Sequence, residues 1–340
     1  MGVVESKRAE GALLGFLRSL PQFEAGVEPE VLFDRAERHG LAGVLLDTWR
    51  AKGMSLPGDL ARHLDVREMA RELDHRAHLA LLTTIDEHFS REGLVGVILK
   101  GPMFAERFYA RPSARATSDI DLLVEPGTLE HASKVLTALG YVGAEGPEED
   151  RVRREHHHLH FTRADALPLE LHFHGYTGFG QVLPSPPLLG RREPVAGLRA
   201  LGVLAPEDEL VFLSVHAAAH RYVRLGWLYD LRLLIATMTE RQLAIAAERA
   251  RSWGFARVLA FTACRLVDLL AVPESILAPL GAHRGWLVAR AVVHEPANAV
   301  LSSATRMVYT VALCDKKSAA ARYVLRASTG HLRRLLHLPP

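Results

Sequence analysis

Ser118-Asp119-Ile120-Asp121-Leu122-Leu123-Val124 is the stretch on which the fold turns. Its apolar positions describe a buried β-strand. Asp119 and Asp121, two residues apart, leave the same face of that strand about 6.7 Å from one another along it. Two carboxylates so placed repel and lose hydration unless a cation offsets them. A hard divalent ion does so. Mg2+ takes one or two carboxylates together with substrate phosphates, and Mn2+ is the alternative oxygen-seeking ion.

On the N-terminal side, Leu94–Lys100 reads as a second short strand, ended by Gly101-Pro102. Met103–Tyr109 has helical spacing behind a proline suited to a helix start. A strand–glycine–helix turn turns backbone N–H groups toward an anion, and Lys100 adds a charge, so Lys100 and Gly101 make a candidate phosphate cradle. On the C-terminal side, Pro126-Gly127-Thr128 leads into a helix with Thr128 as N-cap and Gly140 at its stop. His156–Thr162 and Pro168–His174 then read as an antiparallel hairpin. Glu170 sits on its second strand. If that strand neighbours the Asp119–Val124 strand, three carboxylates converge and could hold two ions about 3.5–4 Å apart.

Further out, the texture changes. Residues 1–90 carry helical spacing throughout, interrupted by the Gly53–Gly58 turn. Gly175–Pro194 is rich in Gly and Pro and marks a border, after which helices return from Pro206-Glu-Asp-Glu209. The expected division is therefore helical (1–90), α/β (91–190) and helical (191–340). The chain has 340 residues with 41 Lys+Arg against 39 Asp+Glu, a balance with no tracking surface for long nucleic acid. Two cysteines, Cys264 and Cys314, lie in apolar surroundings and read as reduced, cytoplasmic thiols. The best apolar run, Val258–Val272, carries Arg265 and Asp268 and is not a membrane span. Met1-Gly2…Ser6 fits a loose myristoylation pattern but reads as a plain N-terminal arm. Arg322–His337 is a basic, helix-like stretch suited to docking.

The ordered set Leu99-Lys100-Gly101, Arg115…Ser118-Asp-Ile-Asp-Leu-Leu-Val124 and Leu169-Glu-Leu-His172 resembles the DNA polymerase β-type nucleotidyltransferase superfamily. More closely, it resembles the bacterial branch called uncharacterised nucleotidyltransferases, over roughly residues 10–240, including Leu204-Ala-Pro-Glu-Asp-Glu-Leu…His216…His220…Trp227-Leu-Tyr-Asp230. The resemblance implies an α+β fold, with a small mixed sheet and flanking helices between helical N- and C-terminal regions. It implies metal ligation by Asp119, Asp121 and Glu170, with Glu170 helping to activate the acceptor. Lys100 and Gly101 would lie by the β/γ-phosphates, Arg115 at the nucleotide and Ser118 beside the first acid. Two departures stand out. Gly101-Pro102 replaces the usual Gly-Ser or Gly-Gly, removing a hydroxyl and an N–H, and Gly101 lies further from Asp119 than is common.

The histidines need their own reading. His156, His158 and His160 form one row and Glu170, His172 and His174 another, by period two. Zinc ligation from such adjacent strands is conceivable, but a polar sheet face beside the cleft is the expectation, with His172 and His174 as candidate substrate or phosphate contacts. His216 and His220 share a helix face, and position 217 is alanine, which removes the glutamate a zinc protease needs. Packing and hydrogen bonding near Asp230 is one expectation for them; the other, implied by the resemblance, is a role in the second layer or on the nucleotide side. The activity these readings imply is metal-dependent transfer of a nucleoside monophosphate from an NTP, ATP included, to a small-molecule or peptide acceptor. The alternatives are an RNA- or tRNA-directed or toxin-like transferase and an inactive nucleotide-sensing or partner-binding protein.

Overall fold

The computed structural model describes residues 3–18, 27–144, 146–281, 303–321 and 323–325. Met1 and Gly2, and all of Arg322–His337 apart from 323–325, lie outside the described residues. Four helices come first: α1 (Val3–Leu17), α2 (Pro29–Arg38), α3 (Ala42–Ala51) and the long α4 (Gly58–Arg91). Next come β1 (Gly96–Ile98), α5 (Pro102–Phe108), β2 (Ile120–Leu123), α6 (Leu129–Ala138), β3 (Val142–Gly143), α7 (Pro147–Glu155), β4 (His158–Thr162) and β5 (Leu169–His172). A small hairpin, β6 (Tyr176–Gly178) and β7 (Gln181–Leu183), precedes α8 (Ser185–Gly190), β8 (Glu193–Pro194) and β9 (Leu201–Val203). The remaining elements are helical: α9 (Pro206–Ala219), α10 (Leu225–Thr237), α11 (Glu240–Trp253), α12 (Ala256–Leu270), α13 (Glu274–Leu277) and α14 (Ser303–Leu313).

Seven strands make one mixed sheet in the order β3-β4-β5-β2-β1-β9-β8. The fold is α+β, with helical segments before and after the strands. The strand β9 was not among the expected elements, and it matters. It pairs in parallel with β1, so the sheet takes in strands from beyond residue 190. Its start is held by Asp86 of α4, whose buried carboxylate accepts N–H groups from Arg199, Ala200 and Leu201 at 2.8–3.1 Å. One carboxylate thus satisfies three backbone donors that the strand end would otherwise leave unpaired.

The sheet separates two apolar clusters. Leu81, Leu82, Ile85 and Phe89 of α4 pack with Leu129, Ala132, Val135 and Leu136 against Ile120, Leu122, Leu169 and Leu171 on one face. The larger cluster lies on the other face, where Val97, Leu99 and Leu123 meet α2, α3 and the helices from α9 to α12. Helix α7 was also unexpected, although Pro147 and the acids Glu148, Glu149 and Asp150 suit a helix N-terminus. Thr128 stands at the α6 N-cap position but does not cap it; its hydroxyl donates to the Glu125 carbonyl within a 3-10 turn. The acids at the α9 start do more than face the dipole. Asp208 pairs with Arg191 and Arg249, and Glu209 with Arg107. Among the described residues, no helix is long and apolar enough to cross a membrane. Both cysteines are buried, and neither is in a disulfide.

Candidate active site

Two ladders build the site. In the parallel β2–β5 ladder, Asp121 stands opposite Glu170 and Leu123 opposite His172. In the antiparallel β4–β5 ladder, His158 stands opposite His172 and His160 opposite Glu170. Period two therefore gathers Asp121, Glu170, His172, His158 and His160 on one sheet face, while the leucines between them fill the smaller core behind. Lys100 enters from the end of β1, next to β2. Gly101 follows with φ +79° and ψ −136°, a conformation open mainly to glycine, and lets the chain turn into α5.

Asp121 is 1% exposed, and the Lys100 ammonium and the His172 imidazole compensate it. The Lys100 ammonium lies 3.1 Å from Asp121 Oδ2 and 3.2 Å from Asp119 Oδ2. His172 Nε2 lies 3.1 Å from Asp121 Oδ1 and 3.4 Å from Glu170 Oε2. Burial works against the charge of Lys100, but Asp121 and Asp119 outweigh it and raise its pKa. Burial likewise opposes His172, and its bonds to Asp121 and Glu170 outweigh burial and raise its pKa. Burial would raise Glu170, yet the His172 hydrogen bond and the nearby His158, His172 and Lys100 charges hold it well below the usual carboxylate range. Burial lowers His157 to about 2 and His158 to about 4, helped by the neighbouring imidazoles.

The arrangement departs from three converging carboxylates. Asp121, Glu170 and His172 offer ligand atoms within 4.8 Å of one another, and Asp119 is outside that set. The ladder begins at Ile120, so Asp119 precedes it and has no partner on β5, and Lys100 bridges it to Asp121. Lys100, expected at the phosphates, turns back onto the two aspartates, because a buried carboxylate left without a partner is costly. Ser118 is exposed, and its hydroxyl donates to Asp119 Oδ1 at 3.3 Å.

Arg115, expected at the nucleotide, is committed elsewhere. Its guanidinium grips Asp230 of α10 through contacts of 2.9–3.2 Å, and the Tyr109 hydroxyl donates to the same carboxylate at 2.6 Å. Asp230 is therefore engaged by Arg115 and Tyr109. The expected partners His216 and His220 instead pack with ring centroids 4.8 Å apart and against Trp227 at 5.2 Å, edge to face, and 5.1 Å, tilted. Burial and then the Lys100 charge depress both histidines. His216 Nε2 is buried with no hydrogen-bond partner.

The histidine rows also shift. The carbonyl of His157 accepts from both Phe173 and His174, so two residues of one strand face one of the other, as in a β-bulge. The bend takes His156 to the surface and turns His157 toward His158 and His172, with ring centroids 4.7 and 5.4 Å apart. Strict alternation misses His157 for that reason. His174 lies beyond β5 with its ring on Phe173.

A family described as uncharacterised nucleotidyltransferase matches residues 25–271, a span that contains every residue placed above. No curated protein matches the chain. Among solved structures, the solution structure of the antibiotic-resistance factor ANT(2'')-Ia is 14% identical, covering 52% of this chain and 92% of that one with a TM-score of 0.39. The family match takes in well over half of the sequence, and the chain belongs to the uncharacterised nucleotidyltransferases.

Proposed function

We propose that the protein moves a nucleoside monophosphate from an NTP to a hydroxyl or similar acceptor on a small molecule or peptide, with Mg2+ as its metal. The observation that carries this is the in-register pairing of Asp121 with Glu170 beside Lys100 and His172. The donor set fits a divalent cation: two carboxylates and an imidazole lie within 4.8 Å, and the aspartates already hold one positive group. Asp121 and Glu170 would hold the ion, with Asp119 joining once Lys100 moves off it. When bound, the metal supplies charge neutralisation on the transferred phosphoryl group and the leaving oxygens.

The protein's own groups supply the rest. Glu170, kept ionised, accepts the proton of the acceptor hydroxyl. The acceptor oxygen bonds to the α-phosphorus, the bond to the α–β bridging oxygen breaks, and pyrophosphate leaves with that electron pair. Lys100, once released from the aspartates, is the cation available to the phosphates, and His172 fixes the two ladder carboxylates through Nε2. Two buried cysteines outside any disulfide favour a cytoplasmic setting.

Calorimetry of NTP binding with and without Mg2+ tests the proposal in the wild type and in the Asp119→Asn/Asp121→Asn double variant. Metal-dependent binding that the double variant loses is the expected result. Binding that ignores both the metal and the substitutions would overturn it.

A further inference from the structure

His157, His158 and His172 form a second cluster, with ring nitrogens all within 4.8 Å of one another. The His158 and His172 rings lie 4.9 Å apart, and Tyr176 walls the group at 4.8 Å from His157. The two rings are oriented alike. His172 directs Nε2 at Asp121 and Glu170, and His158 directs Nε2 toward Glu170 at 3.8 Å. Each leaves Nδ1 buried and without a hydrogen-bond partner. His172 as a whole is 3% exposed. With its Nε2–H bonded to Asp121, the His172 imidazole carries a lone pair on Nδ1, and a buried polar atom left without a partner is costly. Two buried, unpartnered Nδ1 atoms on rings whose centroids lie 4.9 Å apart, with a third imidazole beside them, are lone pairs that a cation would accept.

We infer that His157, His158 and His172 form a second metal site, separate from the carboxylates, for a borderline divalent transition ion of the Zn2+ class. An all-nitrogen set suits Zn2+, Co2+ or Ni2+ and is a poor host for Mg2+, which takes oxygen. His172 is shared. Its Nε2–H bond to Asp121 makes the carboxylate–histidine–metal arrangement that fixes a ligating ring and raises its basicity. Three nitrogen ligands leave a fourth tetrahedral position for water or for a donor atom of the acceptor. The site goes beyond the transfer chemistry and does not depend on it.

The test uses Co2+ as a spectroscopic probe and Zn2+ as its competitor, on the metal-stripped full chain in excess Mg2+ and without nucleotide. One Co2+ per chain with the visible spectrum of a four-coordinate nitrogen site, displaced by one Zn2+, is expected. Affinity should fall by more than about 100-fold in His157→Ala and stay within about threefold in Asp119→Asn, since removing a ligand exceeds the 10–100-fold typical of outer partners. Circular dichroism establishes that each variant is folded, and His157→Gln replaces His157→Ala if the latter is not. Equal affinity in the wild type and the His157 variant, or full displacement of Co2+ by Mg2+, would overturn the site. Neither result bears on NTP binding, so the two proposals fail separately.

Discussion

Arg115 and Asp230, 115 residues apart in sequence, close a two-pronged ion pair that ties the segment before β2 to α10. Both side chains are below a tenth exposed, and Tyr109 adds a third bond. Removing one partner of such a pair strands the other charge. Asp230→Ala should therefore cost about 3–5 kcal/mol in urea denaturation. Arg115→Ala should cost a similar amount. The double variant should cost less than the sum, and strict additivity would show that the pair is not coupled.

Asp121→Asn removes the charge that Lys100 and His172 share. Transfer should drop by at least about 10³-fold while Mg2+-dependent NTP binding weakens, given the several kcal/mol that metal-centred charge stabilisation supplies. Turnover with Mg2+ within tenfold of the wild type would exclude Asp121 as a metal ligand.

Gly101→Ala probes the turn into α5. An added Cβ would sit 3.5 Å from the Asp119 carbonyl oxygen, an ordinary contact, so the cost lies in the backbone conformation. A loss of about 1–3 kcal/mol in thermal or urea unfolding is expected. If the turn also shapes the nucleotide site, KM for the NTP rises with it.

Glu10 of α1 reaches Arg35 and His39 of the α2 region, and His39 Nδ1 accepts from the Leu225 amide at the start of α10. Burial raises the Glu10 pKa, but the bonds and charges of His39 and Arg35 outweigh it, and the net shift is downward from 4.5. A carboxylate depressed in the folded state adds stability above its unfolded pKa and loses it as pH falls through the folded one. Wild type should exceed Glu10→Gln by roughly 1–3 kcal/mol at pH 7. The gap should shrink below about pH 4.5. A gap independent of pH would exclude the ionic contribution.

Much of the site was readable from residue spacing because the chemistry there follows backbone periods. A carboxylate pair in an apolar strand and a glutamate in a second apolar strand are local patterns; that the two strands are neighbours was only a condition in the sequence, and their parallel pairing puts Asp121 opposite Glu170. What spacing could not carry was set at a distance. The strand Leu201-Gly202-Val203 is too short to show a period, and its place is fixed by Asp86, more than a hundred residues earlier. The ion pair that engages Arg115 depends on a helix that docks over 100 residues later. The bulge at His157 breaks the alternation on which the histidine rows were drawn.

The position of β9 also bears on how the protein is made. β1 pairs with β2 on one side and β9 on the other, and β9 lies about a hundred residues downstream. At roughly 5–20 residues per second, the ribosome leaves that side of β1 open for about 5–20 s after β1 itself has emerged. An open strand edge invites pairing with another chain. A fragment ending at residue 190 keeps this edge permanently, so the acid-bearing strands cannot be cut out as a self-sufficient unit. They reach a closed sheet only when the chain returns to them.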